Sequence, residues 1–142
     1  MGQTNFDEVV ATFVGNLTGN VTGNVTGNLT GNVAGGVTPT AITDPGNAGA
    51  IPVTNPTGRV AIVTTGAQTR TLAVPTIIGQ RLLIYMKTDG GDCVITVAAA
   101  INASGNTVIT LNDAGDGIEL VAVESGSNLR WVVGFNSGCT LS

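Results

Sequence analysis

The sequence predicts an all-β chain: an intertwined trimeric β-stalk from a tetrapeptide repeat, followed by a small β-sandwich or jelly-roll-like knob. Three observations predict it. Between Gly15 and Gly36 the unit Gly-Asn-Val/Leu-Thr recurs without a charged residue. From Arg59 onward, short runs rich in Val, Ile, Leu and Thr are punctuated by Gly, Asn and Asp turns. Of 142 residues 42% are hydrophobic and only 10% charged, so the chain has apolar surface to bury.

Residues 1–14 read as a docking peptide. Phe6, Val9, Val10 and Phe13 fall at i, i+3, i+4 and i+7, with Thr4 or Asn5 placed to cap and Asp7 and Glu8 in the first turn. Such a helix is marginal in water, and Val9 onward reads equally as the start of a strand. Either way two of the three phenylalanines lie near this terminus. They suit contact with another protein, the alternative being packing within an oligomer.

Residues 15–38 form the repeat. Every odd position from Val9 to Val37 is apolar or glycine, and the even positions from Asn16 to Asn32 are only Asn and Thr. That period of two belongs to extended chain with one apolar face. Gly, Asn, Thr and Val are weak helix formers, and a period of four drifts against 3.6. The apolar row is Leu17, Val21, Val25, Leu29, Val33 and Val37. Burying it does not offset the entropy of ordering the segment as a lone strand, so partner strands are required. The tetrads could coil on themselves, each Gly-Asn making a left-handed turn. The arrangement predicted instead is a homotrimer wound about one axis. Tetrads are shorter than solenoid units, a glycine every four residues lets backbones crowd, and a closed threefold prism leaves no free edge.

The repeat also writes Asn-x-Thr at Asn16, Asn20, Asn24 and Asn28, with Asn102-Ala103-Ser104 beyond. No basic, apolar leader of the secretory kind opens the chain, so these read as by-products of the repeat rather than glycosylation sites.

Residues 39–58 hold Pro39, Pro45, Pro52 and Pro56 and read as a Pro/Gly-rich linker. Residues 59–142 read as the knob. Its expected strands are Arg59–Thr65, Thr69–Val74, Arg81–Thr88, Cys93–Ala99, Thr107–Leu111, Gly117–Glu124 and Leu129–Phe135. A domain this small gains from burying a face between subunits.

The residue inventory argues against an enzyme. There is no histidine to serve as base or metal ligand. Asp89 and Asp92 flank Gly-Gly, and Asp113 and Asp116 flank Ala-Gly. Paired carboxylates could do acid–base work or hold calcium, but in glycine-rich hairpin loops Asp is a turn former, and that is the expectation. No catalytic residue, cofactor or metal is therefore assigned. Cys93 and Cys139 read as unpaired thiols, a disulfide being the alternative. Basic residues are scattered at Arg59, Arg70, Arg81, Lys87 and Arg130, so no nucleic-acid partner is expected. No run of apolar residues is long enough for a membrane span.

The stretch "GNVTGNLTGNVAGG" and its neighbours resemble the tetrad repeats of bacteriophage fibre and virion proteins. Leu72–Pro75, "GQRLLIYMKTDGGDCVITV" and "TVITLNDAGDGIELVAVESGSNLRWVV" resemble a small β domain of phage structural proteins, with Gly126 and Trp131 in its last element. The resemblance implies a virion structural protein: a trimeric capsid decoration (cement) or short head-fibre protein, made in the host cytoplasm and set on the outer capsid. It implies that Phe6, Val9, Val10 and Phe13 dock onto the major capsid protein. It implies also that Leu17, Val21, Val25, Leu29, Val33 and Val37 form the trimer stalk core. The alternative is a tail-fibre or tailspike-like protein that binds a host surface receptor.

Overall fold

A computed structural model describes residues 38–102 and 105–142, and among them the chain is all-β, with two five-stranded mixed sheets and no helix. The strands are β1 (Thr40–Ile42), β2 (Gly49–Ile51), β3 (Thr57–Val63), β4 (Gln68–Leu72), β5 (Arg81–Thr88), β6 (Cys93–Ile101), β7 (Asn106–Leu111), β8 (Gly117–Ser125), β9 (Asn128–Ser137) and β10 (Thr140–Leu141). Sheet I has the order β1-β3-β5-β8-β9, and sheet II the order β10-β7-β6-β4-β2. The expected docking residues Phe6, Val9, Val10 and Phe13, and the stalk row Leu17, Val21, Val25, Leu29, Val33 and Val37, lie outside the described residues.

Alternation makes these strands. β3 buries Val60 and Ile62, β5 Leu82, Ile84 and Met86, β6 Cys93, Ile95 and Val97, and β8 Ile118, Leu120 and Ala122. The intervening residues face outward. The inward rows of the two sheets make one core, joined by Ile109, Leu111 and Trp131. Each large aliphatic residue buried there contributes roughly 1.5–3 kcal/mol.

The order in which the chain visits the sheets differs from a jelly roll. β1, β3 and β5 pair parallel in sheet I, and β2, β4 and β6 pair parallel in sheet II. Each strand from β1 to β5 therefore hands the chain to the other sheet. The result is a flattened spiral in which Thr40, Gly58 and Leu82 fall in register one coil after another. Antiparallel strands then complete both sheets, β7 and β10 on β6 and β8 and β9 on β5. The segment 39–58, expected as a linker, supplies β1 and β2, paired to β3 and β4.

The Gly-Gly corner explains why a hairpin reading failed here. Asp89–Asp92 joins β5 of sheet I to β6 of sheet II instead of joining sheet neighbours. It lies against the preceding coil's corner. A Cβ on Gly90 would stand 2.6 Å from the Thr64 carbonyl oxygen, and one on Gly91 2.6 Å from the Ala67 nitrogen. The buried Thr64 hydroxyl joins the two corners, accepting from the Gly90 amide at 3.0 Å and donating to the Gly91 carbonyl at 2.7 Å. Asn112–Asp116 likewise passes between sheets, from β7 to β8.

Two polar ties cross the core. The indole N–H of buried Trp131, on β9, donates to the Ala73 carbonyl just past β4 at 2.9 Å. Asn102, at the tip of the β6–β7 hairpin with φ 58°, donates its amide to the Trp131 carbonyl and accepts the Val133 amide on its side-chain oxygen.

Stacked corners give a direct stability test. Gly91→Ala places a methyl group against backbone at a φ of +147° and should cost roughly 1–3 kcal/mol by overpacking. Gly66→Ala, whose methyl meets open space, should change stability by less than about 0.5 kcal/mol. Denaturant unfolding of both variants checks the pair.

Candidate functional site

All loops that pass from sheet I to sheet II, or back from β7 to β8, gather at one end of the sandwich. They are residues 43–48, 64–67, 89–92, 112–116 and 138–139. This end holds Asp44, Asp89, Asp92, Asp113 and Asp116, and no Lys or Arg lies in those loops. The described loops of the opposite end, residues 52–56, 73–80, 102, 105 and 126–127, contain no charged residue, and Arg130 of β9 reaches Asn102 there, donating to its carbonyl at 2.9 Å. There Val74, Ile77 and Ile78 are exposed, Ile78 by 61%. Thr38 and Pro39 lead into β1 at this end, because β1 runs parallel to β3.

Of the four carboxylates singled out in the sequence, Asp89 and Asp116 act at their own corners. Asp89 accepts the Gly91 amide at 2.7 Å. Asp116 accepts the Asn112 and Asp113 amides at 2.8 and 3.1 Å. The Asp116 carboxylate occupies the space that a side chain at Gly138, φ +83°, would need. These are turn-forming contacts of the expected kind, made at corners between sheets. Among the described residues no three His, Cys, Asp or Glu side chains group so as to hold a metal ion.

A fifth aspartate, not singled out in the sequence, does something different. Asp44 ends the β1 segment and grips Arg70 of β4. Arg70 Nε donates to Asp44 Oδ1 at 2.8 Å and Nη2 donates to Oδ2 at 3.1 Å. Arg70 is wholly buried and the Asp44 side chain 14% exposed. Arg70 also donates to the Thr69 carbonyl through Nη1 and to the Gln68 side chain through Nη2. Asp44 also accepts the Val63 and Gly46 amides. Burial alone would raise the Asp44 carboxyl. The hydrogen bonds from Arg70, Val63 and Gly46, with the Arg70 charge, outweigh it, and the carboxyl sits below its ordinary value of 3.8. The hydrogen bond to Asp44 in turn raises Arg70. Gln80 plays the same part at the other end, donating to the Val53 and Asn55 carbonyls at 2.6 and 2.8 Å and accepting the Thr76 amide.

Both cysteines are free and buried, as the unpaired-thiol reading expects. Burial pushes the Cys93 thiol up. It pushes Cys139 up to about 11, the Asp116 charge adding to it. Neither is an activated nucleophile. Asn102 of the Asn-x-Ser sequence is spent on the Val133 amide.

The outer faces of the two sheets differ. Sheet I presents Arg59, Arg81, Lys87 and Glu119 among Leu83, Tyr85 and Val121. Arg81 pairs with Glu119 at 2.8 Å, and its stem and those around it leave Leu83, Tyr85 and Val121 half-buried. Sheet II presents two cross-strand rows. One is Thr69, Val94, Thr110 and Thr140; the other is Ala50, Thr71, Thr96 and Val108. No member is charged. A shallow apolar groove of about 330 Å³ crosses this face between Ala50, Thr71 and Ala98.

No family model matches the chain, and no curated protein matches it.

The Asp44–Arg70 pair sets both a mutational and a pH expectation. Asp44→Ala leaves a buried guanidinium without its counter-ion and should cost about 3–5 kcal/mol. Arg81→Ala, which breaks a pair on an exposed side chain, should cost at most about 1 kcal/mol. Because the folded Asp44 value is depressed, its contribution is complete above the ordinary carboxylate value of 3.8 and is lost as pH falls below it. Unfolding midpoints of the parent and Asp44→Asn, followed from neutral to acid pH, should therefore converge below that value.

Proposed function

We propose that the protein is a structural component of a bacteriophage virion, a homotrimeric capsid decoration or head-fibre protein held to the outer capsid by its N-terminal region. The observation that carries this reading is the uncharged Gly-Asn-Val/Leu-Thr array running into a small all-β unit. The array exposes an apolar row that needs identical partners. Asp89 and Asp116 are spent on the β unit's own corners, and the acidic loops gathered at one end give it a direction.

In this reading each part has a mechanical role. Phe6, Val9, Val10 and Phe13 dock on the major capsid protein. Leu17, Val21, Val25, Leu29, Val33 and Val37 join three chains about one axis. The β unit projects as a knob. Three weak docking peptides on one particle act together, so avidity converts modest single contacts into stable attachment.

Deleting residues 1–14 should abolish binding to capsids while the truncated protein keeps its trimeric mass. Co-sedimentation with purified capsids and sedimentation equilibrium read the two outcomes. Retained capsid binding would remove the docking role. Localisation to a tail rather than to capsid faces by electron microscopy would favour the receptor-binding alternative.

A further inference from the structure

One peptide bond in this chain differs chemically from the rest. Asp44 is followed by Pro45, the chain's one Asp-Pro sequence. Such a bond can break from within. The side-chain carboxylate reaches its own backbone carbonyl carbon and closes a five-membered ring. The leaving nitrogen belongs to a tertiary amide and takes up a proton more readily than an ordinary peptide nitrogen. Two things are required: the carboxylate must turn toward that carbonyl, and a proton must reach the Pro45 nitrogen.

The fold withholds both. Asp44 Oδ1 accepts Arg70 Nε at 2.8 Å and the Gly46 amide at 3.1 Å, and Oδ2 accepts Arg70 Nη2 at 3.1 Å and the Val63 amide at 2.9 Å. Donors from the next turn, from the end of β3 and from β4 thus fix the side chain from three directions. Arg70 is wholly buried, so it has no room to swing aside. Pro45 is seated as firmly, since a Cβ on Gly49 would stand 2.6 Å from the Pro45 Cβ. The charged and titratable groups acting around Asp44 are Arg70 on β4 and the Cys93 thiol on β6. Arg70 holds its protons, and burial makes the thiol a weaker acid still, so neither supplies a proton to Pro45.

We propose that Asp44–Pro45 is a latent self-cleavage site, and that the Asp44–Arg70 clamp locks it until the turn between β1 and β2 opens. On release, a carboxylate oxygen attacks the Asp44 carbonyl carbon. The carbon–nitrogen bond to Pro45 breaks, and a proton from acidic solvent goes to the departing nitrogen. Water then opens the cyclic anhydride. One water is consumed, and the products are an Asp44 α-carboxyl and a Pro45 secondary amine. The cut leaves β1 held to β3 by three residue pairs. It severs the chain between the segments proposed for docking and the stalk and the strands β2 to β10.

The full chain tests this against an internal standard. Val74→Asp writes a second Asp-Pro sequence ahead of Pro75, at a side chain 40% exposed in a loop without cations. The variant is warmed just above the ordinary carboxylate value of 3.8, folded and, in parallel, in denaturant. Intact-mass spectrometry follows both cuts. In the folded chain the cut before Pro75 should run at least about a hundredfold faster than the cut before Pro45, which waits on local opening of a buried pair. In denaturant the two should run alike. Equal rates in the folded chain, or a slow Pro45 cut that persists in denaturant, overturn the lock. Should Val74→Asp lose the near-ultraviolet signal of Trp131, Thr38→Asp, ahead of exposed Pro39, takes its place under the same criteria. Arg70→Lys keeps the charge but not the planar fork. If that variant holds the Trp131 signal, its Pro45 cut should speed up, and an unchanged rate overturns the clamp in favour of burial alone. If it unfolds, the comparison of the two cuts decides.

Discussion

Parallel neighbours cannot be joined by a tight turn; the chain must leave the sheet and come back. In this protein the return path is itself a strand of the opposite sheet, and the whole sandwich depends on that constraint. Each coil has to change sheets within a few residues at its corners. Successive corners must then stack at backbone distance. Gly90 and Gly91 permit that approach, and Thr64 hydrogen-bonds it closed. Both five-stranded sheets are completed only because the spiral has already placed β5 and β6 as templates for the antiparallel strands.

The spiral leaves its first coil thin, since β1 and β2 are three residues each. Polar anchors compensate. Asp44 holds the turn between them to Arg70 and Val63, and Gln80 holds the following loop through two carbonyls. The hydrophobic rows place the strands, and these few satisfied polar groups decide where the first coil ends. Among the described residues no buried side-chain nitrogen or oxygen is left without a partner.

The seven longer strands were legible as runs rich in Val, Ile, Leu and Thr between turn residues. β5 and the starts of β6 and β8 fall where the residue pattern puts them. Three features were not. β1 and β2 are too short to show a period and sit among prolines. β10 is two residues long. Parallel pairing was hidden because a glycine corner between stacked coils has the same composition as a hairpin turn; only the approach of Gly91 to the Ala67 backbone separates the two. Asp44 and Arg70 lie 26 residues apart, with nothing local to mark them as partners. The charge-free face of sheet II was equally invisible. Its members come from β2, β4, β6, β7 and β10 and line up only once the register is known. The residues proposed for docking and for the stalk rest on sequence pattern alone, and they lie outside the described residues.

Among the described residues β1 and β2 are the edge strands of their sheets where the spiral begins, and β9 and β10 are the edge strands at the other side. A molecule with this plan can grow by whole turns. An added turn of some twenty residues would dock on β1 and β2 and leave the core, the corner stack and the closing strands undisturbed. Height is thereby uncoupled from the rest of the architecture. A lineage could lengthen or shorten the body in discrete steps while keeping both extremities unchanged.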